Sequence, residues 1–413
     1  EFPDNIAGFE PLQIPATGDI FRDAIRMMTN TLGRVMEPLS NETNIALQTH
    51  WTDDAEWHNV SLKKSVCNIV AQVSSRTFVG EELCRDPAWI NVIVGYAEHA
   101  FPAAQALRLW PKFLRPVVHW FLPSCRMVRV EVCKARTIID PILKKRKGVQ
   151  RDGKAWDAIH WMEKSAAGRQ FDAVAAQLSF GLVAIHTSAD LLTQTLFNLS
   201  QRPDLIDALR NEIIFTIKTN GWSKMTLHKL PLMDSVLKET HRLKPITISS
   251  STALPPIHFS NQIRSNTPKI SASMLRKAEA PVVLSNGIYI PKDTTLMVSS
   301  HGMWNADIYP RPYEFDGYRF LKLRQLPGQD TIGLFASTSV HHLGFGHGKD
   351  ACPGRFLAAI LLKVALCHVL LKYEIDLVEG DQPEFHRLGV GLYSDSEAKL
   401  RIRRRDSEIQ LDQ

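Results

Sequence analysis

Phe345-Gly346-His347-Gly348-Lys349-Asp350-Ala351-Cys352-Pro353-Gly354-Arg355 is a glycine-rich loop that delivers one cysteine to the start of an apolar run ending near Leu371. Glycine takes turns that side chains forbid and lets a backbone come close to a flat or bulky ligand. The run from Arg355 reads as a buried helix. The partial positive charge at a helix start favours a thiolate. The loop is therefore suited to holding a cysteine in its anionic, metal-ligating form. Two other fates compete. One is a structural cysteine buried beside an ordinary helix. The other is a cysteine nucleophile served by His347 or His342. Neither requires Phe345 and the glycines at these offsets.

Phe345 stands seven residues before Cys352, Gly348 four before it and Gly354 two after. This spacing resembles the haem-binding signature of the cytochromes P450. The resemblance implies a mainly α fold with minor β structure, in which helices dominate and the sheets are small. It implies haem b as cofactor, with Cys352 as axial thiolate and metal ligand and Phe345, Gly348 and Gly354 around it. A thiolate opposite the oxygen-binding face favours cleavage of the O–O bond. Two residues before the cysteine the family usually carries Arg or His against a haem propionate. Here Asp350 stands there, and Lys349 or His347 is the expected substitute.

Working outward, Leu230-Pro-Leu-Met-Asp-Ser-Val-Leu-Lys-Glu239-Thr240-His241-Arg242 reads as a helix ended by Pro245. Glu239 and Arg242 share one helical face. They resemble the family's Glu-x-x-Arg pair, and Phe315-Asp-Gly-Tyr-Arg319-Phe320 supplies the expected third member, Arg319. Buried charges survive only when paired and hydrogen-bonded, and a carboxylate between two arginines meets that need. Outside the resemblance, Glu239 and Arg242 would be an ordinary surface pair. Phe171 to Leu199 is apolar nearly all round, which marks a buried helix. Within it, Val183-Ala184-Ile185-His186-Thr187-Ser188 resembles the family's oxygen-activation segment. Thr187 falls on the key hydroxyl, and His186 replaces the usual acid. Such a hydroxyl orders protons for bound dioxygen; alternatively it bonds back to its own helix. His186 either relays protons or sits hydrogen-bonded in the helix. Nearer the start, Phe21 to Leu47 has helical spacing. Arg26 there is either a haem-propionate partner or a surface arginine.

The chain has 413 residues, 44% of them apolar, and a net charge of +6. The positive excess is small and scattered, so no nucleic-acid role is expected. Six irregularly spaced cysteines argue against a disulfide framework. No apolar run is long enough to span a bilayer. The chain starts at Glu1, and we expect one domain over residues 1–413 that lacks the family's N-terminal membrane anchor and first sheet. Residues 89–125 read as short helices broken by Pro102, Pro111, Pro116 and Pro123. In the family this region lids the substrate and partly dips into the membrane. Val66 to Phe78, 126–147 and Leu205 to Lys218 read as further helices, and 148–170 as a loop with a short helix. Residues 251–273 are polar, rich in Pro and Ser, and expected to be a disordered insertion. Pro281–Leu284 and Gly287–Ile290 read as a hairpin turned at Ser285-Asn286-Gly287. Thr294–Ser300 and parts of 385–404 read as strands.

The function implied is monooxygenation: insertion of one oxygen atom from O2 into a hydrophobic small molecule. The His186 segment resembles fungal members that modify terpenoids in secondary metabolism. No flavin or nicotinamide motif is present, so electrons are expected from a separate NADPH-cytochrome P450 reductase. By resemblance the place of action is the cytosolic face of the endoplasmic reticulum membrane. Two alternatives stay open. One is a desaturating or ring-rearranging P450; the other is a truncated remnant that binds haem weakly or not at all.

Overall fold

The computed structural model describes residues 6–17, 19–147, 157–245, 272–381, 383, 386–388 and 391–411. In chain order the helices and strands begin with α1 (Glu10–Thr17), α2 (Asp19–Asn30), α3 (Leu32–Trp51), β1 (His58–Ser61), α4 (Leu62–Phe78) and α5 (Glu81–Cys84). There follow α6 (Pro87–Arg108), α7 (Arg115–Val118), α8 (Pro123–Lys147), α9 (Ala158–Ala166), α10 (Ala173–Ser200), α11 (Pro203–Asn220), α12 (Lys224–His228) and α13 (Pro231–Leu243). The last are β2 (Ala272–Lys277), β3 (Val282–Val283), β4 (Tyr289–Ile290), β5 (Thr295–Ser299), α14 (Arg319–Arg324), α15 (Arg355–Lys372), β6 (Tyr373–Leu377), β7 (His386–Leu388), β8 (Gly391–Tyr393) and β9 (Lys399–Arg404). The fold is mainly α with minor β, as expected.

Two compact units emerge. The helical unit comprises 2–233, 353–384 and 394–413; the loop-rich unit comprises 234–352 and 385–393. The helical unit is built on α10. Asp172 caps it by accepting the amides of Val174 and Ala175, which satisfies two of the donors a helix start leaves unpaired. Being apolar on every side, α10 is buried along most of its length. Its Phe180 ring lies 4.4 Å from Phe21 of α2 and 5.2 Å from Phe78 of α4. At Gly181 α10 meets α6 closely: a Cβ there would sit 2.2 Å from Ile93 Cγ1. One sheet of this unit has β9 at its centre, antiparallel to both β1 and β6. Leu400 and Ile402 of β9 point into the core and Lys399 points out, the period of a half-buried strand.

In the loop-rich unit β2 pairs antiparallel with β5 and β3 with β4. The β3–β4 turn is the expected one: Gly287 has φ +85°, a conformation that favours glycine. Elsewhere in this unit, from Asn305 to Cys352, short turns alternate with irregular chain around α14.

Several expectations need correction. Pro102 does not break a helix; α6 runs through it from Pro87 to Arg108. Ala97, Ala100, Ala103, Ala104 and Leu107 bury one face across that point, and such packing outweighs one lost backbone bond. The helix expected from Phe21 to Leu47 is two, parted at Thr31, whose hydroxyl bonds back to the Met27 and Met28 carbonyls. The strand β1 precedes α4 where no strand was expected. Of the expected insertion, 251–271 lies outside the described residues, and Ala272 and Ser273 belong to β2. Residues 148–156 also lie outside them.

The α6–α10 approach yields a test. Helix propensity alone would favour Gly181→Ala by about 1 kcal/mol. Overpacking against Ile93 opposes it by about 1–3 kcal/mol. We expect a net loss of stability, read as a lower thermal midpoint, and a double variant with Ile93→Ala less destabilised than the sum of the two single changes.

Candidate active site

The chemistry-bearing residues of the loop-rich unit are organised by α13. Its Glu239 and Arg242 side chains are fully buried. Arg242 holds the Glu239 carboxylate with two parallel bonds, Nε to Oε2 at 2.8 Å and Nη2 to Oε1 at 2.9 Å. Arg319 Nε donates to Oε1 at 2.9 Å, and so does the Asp316 amide at 3.2 Å. The structure thus brings together the three residues expected to form a triad. One carboxylate cannot neutralise two guanidiniums, and backbone carbonyls take the surplus. Arg242 Nη1 donates to Met303 O, and Arg319 donates to the carbonyls of Pro310, Arg311 and Glu314. Arg311 has φ +49°, an uncommon conformation for a side-chain-bearing residue.

The same helix holds three further groups that sequence reasoning missed. Ser235 Oγ accepts the amides of Phe320 and Leu321. It thereby caps α14, whose preceding residue offers no side-chain cap. Asp234 accepts the amide of Phe335. Lys238 donates to the carbonyls of Leu334 and Ser337, and burial pushes its pKa down to about 7. Polar residues at 234, 235, 238, 239 and 242, recurring at helical spacing in a buried helix, were the available signal. They mark a helical face whose Asp234, Ser235 and Lys238 meet backbone groups.

The cysteine loop turns at Gly346 (φ +68°) and Gly348 (φ +79°). Gly346 donates its amide to Leu343 O, and Cys352 donates its amide to Phe345 O at 2.8 Å. Phe345, Gly348 and Cys352 therefore sit in one closed loop with the cysteine exposed. Gly354 follows it, and Arg355 begins α15. His342 is buried and donates Nε2–H to the Lys238 carbonyl. His347 Nδ1 bonds the Thr338 hydroxyl, and its backbone amide meets Met274 Sδ at 3.2 Å. Asp350 lies on the surface, 3.8 Å from Arg276 of β2.

In the helical unit α10 opens on one side. Val183 is 39% exposed in a helix whose neighbours are largely buried. Thr187, one turn on, bonds back to the Val183 carbonyl at 2.9 Å. His186 donates Nε2–H to Val94 O of α6 at 3.1 Å. Burial lowers its pKa, the Val94 carbonyl opposing, so the imidazole stays neutral at the pH where an ordinary histidine begins to take up a proton. Arg26 points to solvent, 72% exposed and paired with Asp23 at 2.9 Å.

The fit of a metal group can be judged from the donors. Among the described residues no three His, Cys, Asp or Glu side chains gather to hold an ion. A metal at the exposed Cys352 would therefore bring most of its own ligands. Iron in a macrocycle does this, and the glycine-turned loop offers it a backbone with few side chains in the way.

Known proteins resemble this chain over nearly its whole length. The cytochrome P450 family model matches residues 14–259 and 267–397. A cytochrome P450 monooxygenase of Penicillium shearii, esdpI, is 44% identical over 99% of this chain and 77% of its own length. Penicillium rubens adrA is 42% identical over 98% and 77%, and Aspergillus fumigatus pyr3 42% over 100% and 76%; both are cytochrome P450 monooxygenases. The solved structure of cyanobacterial CYP120A1 with bound retinoic acid superposes with a TM-score of 0.66 at 17% identity, covering 94% of this chain and 79% of that one. The fold is that of the cytochromes P450, mainly helical with small sheets. The chain belongs to the cytochrome P450 family, and its enzymology is that of a monooxygenase. The family's cofactor is a haem iron held by a cysteine thiolate.

The histidines behind the cysteine loop give a pH test. Burial, helped by Lys238 and Lys244, pushes His241 from an ordinary 6.5 to about 3. Between those values the unfolded chain binds the extra proton, so stability present above 6.5 is lost as pH falls toward 3. Burial, with Lys238 and His241 beside it, lowers His342 as well. We expect His241→Leu to flatten this acid limb by up to about 1.4 kcal/mol per pH unit, measured by urea unfolding between pH 6.5 and 3.

Proposed function

We propose that Cys352 is the axial thiolate of a haem b, with Phe345, Gly348 and Gly354 framing it and Glu239, Arg242 and Arg319 holding the surrounding backbone. The observation that carries this reading is the exposed cysteine at the end of a closed glycine loop, its amide tied to Phe345 O at 2.8 Å. When bound, the haem supplies dioxygen activation and hydroxylation of a C–H bond. The protein's own groups do the rest. Thr187 holds a hydroxyl on the open side of α10 and exchanges its helix carbonyl for a proton-carrying partner during turnover. His186 stays a neutral donor on Val94 and orients that stretch of helix. Arg26 can turn from Asp23 toward a propionate, since the exposed pair is worth little.

The substrate class is a hydrophobic small molecule, for which a terpenoid of fungal secondary metabolism is the proposed case. The likeness of the His186 segment to terpenoid-modifying members supports it. Electrons come from a separate reductase.

The test is the carbon monoxide difference spectrum of the reduced, purified chain. The wild-type chain should give the strongly red-shifted Soret band of thiolate-bound haem. Cys352→Ser should lose that band, and Glu239→Ala should lose haem itself. Thr187→Ala should keep the band while product per electron pair falls by roughly tenfold or more. A wild-type band at the unshifted position would sink the reading.

We further propose action at the endoplasmic reticulum membrane. No helix among the described residues is long and apolar enough to cross a bilayer. Yet Leu109, Trp110, Phe113, Val117, Trp120 and Phe121 are exposed together, among Arg108, Lys112, Arg115 and Arg126. An apolar, aromatic patch with cations interleaved suits a lipid interface. Flotation with vesicles carrying anionic lipid should recover the chain, and Phe113→Ser with Phe121→Ser should leave most of it at the bottom of the gradient.

A further inference from the structure

His241 is buried, yet its Nδ1 meets no hydrogen-bond partner among the described residues. Its ring is instead packed edge to face on Phe345, with centroids 4.7 Å apart at 67°. Phe335 lies 5.8 Å away and His342 5.6 Å away on other sides. The imidazole is thus hemmed in by rings and has little room to turn. Directly against it runs the backbone of Gly344. A Cβ built there would lie 2.4 Å from Cε1, 2.6 Å from Nδ1 and 2.7 Å from Nε2. Real Cβ atoms do not come so near, and these are ring atoms of a confined side chain rather than the tip of a flexible one. The φ of Gly344 is not in the left-handed region, so the requirement for glycine at this point is one of space alone.

The next residue, Phe345, carries the carbonyl that accepts the Cys352 amide at 2.8 Å. The path from ring to cysteine is therefore short. The His241 face fixes how far the Gly344 backbone stands from α13, Phe345 follows, and its carbonyl fixes the Cys352 amide. A shift of the loop by a methyl's width would move that carbonyl by more than the tolerance of a hydrogen bond.

We propose that His241 and Gly344 are a size-matched positioning pair that sets the placement of Cys352. The inference rests on the reading of Cys352 as the haem ligand. His241 is a positioning residue: it touches the loop, not the reacting atoms. Its role is steric.

The test exchanges volume across the contact in a double-mutant cycle. His241→Ala, Gly344→Ala and the double variant are prepared as holoenzyme and as apoprotein. In the holoenzyme the ratio of red-shifted to unshifted carbon monoxide Soret bands is measured. In the apoprotein the alkylation rate of Cys352 is measured by peptide mass spectrometry, which separates it from the other cysteines. We expect Gly344→Ala to lose the red-shifted band and alter the alkylation rate, and His241→Ala to do so in part. The double variant should recover most of both, because the new methyl fills space the imidazole leaves. A wild-type ratio in Gly344→Ala, or a double variant no better than the worse single, overturns the pair. Should Gly344→Ala fail to fold, His241→Asn and His241→Ala decide, with the ratio expected to fall as ring volume is removed. An unchanged ratio there rejects the proposal. If the wild-type chain itself lacks the red-shifted band, the haem-thiolate reading fails instead, and the alkylation rates still judge the pair.

Discussion

A carboxylate with no contact to water sits between two guanidiniums in the loop-rich unit. Left alone, Glu239 would be driven out of the interior or neutralised; with Arg242 and Arg319 it is bonded four times. Removing one member of such a cluster leaves uncompensated buried charge and costs about 3–5 kcal/mol. Replacing the whole by apolar groups need not. Raw stability is therefore a poor account of why the cluster is ionic. What the charges add is direction. Each guanidinium has donors to spare, and each spare donor grips a carbonyl at a fixed place: Met303, Pro310, Arg311, Glu314. The pair of arginines reads out a chain path that has no ladder of its own to define it.

The rest of that unit follows from the same need. Between Asn305 and Cys352 little regular structure satisfies the backbone, and buried amides and carbonyls must find partners somewhere. α13 provides them from one face. Ser235 caps α14, Asp234 takes the Phe335 amide, and Lys238 takes two carbonyls. His342 answers from the loop by donating to the helix carbonyl of Lys238. A loop held in this way can carry glycines at Gly346 and Gly348 without losing its shape.

What the sequence disclosed divides along a physical line. The glycine turns of the Cys352 loop and the apolar run of α10 are written in local spacing, whereas Glu239, Arg242 and Arg319 were legible only through the family resemblance, and the structure brings those three together. The partners of α13 were not legible, because Ser235 and the α14 start it caps are 85 residues apart in the chain. Nothing in the local pattern of Phe320 names its acceptor. The β1–β9 pairing escaped for the same reason, His58 facing Ile402 across nearly the whole chain. Pro102 misled because a local rule, that proline ends helices, met a helix held by the packing of four alanines and a leucine. Arg26 illustrates the converse: its match to a family position said nothing of its nearest partner, Asp23.

The buried charges near the cysteine loop do not balance. Lys238, Arg242, Lys244 and Arg319 are buried cations, and Asp234 and Glu239 are the buried anions of the same stretch. With Lys238 pushed to about 7, the excess persists even when that amine is neutral. Such an excess disfavours a further proton nearby, which is one reason His241 and His342 are held neutral. By the same electrostatics it favours an added anion. Burial is the larger cause of the neutral histidines, and the unbalanced cations add to it.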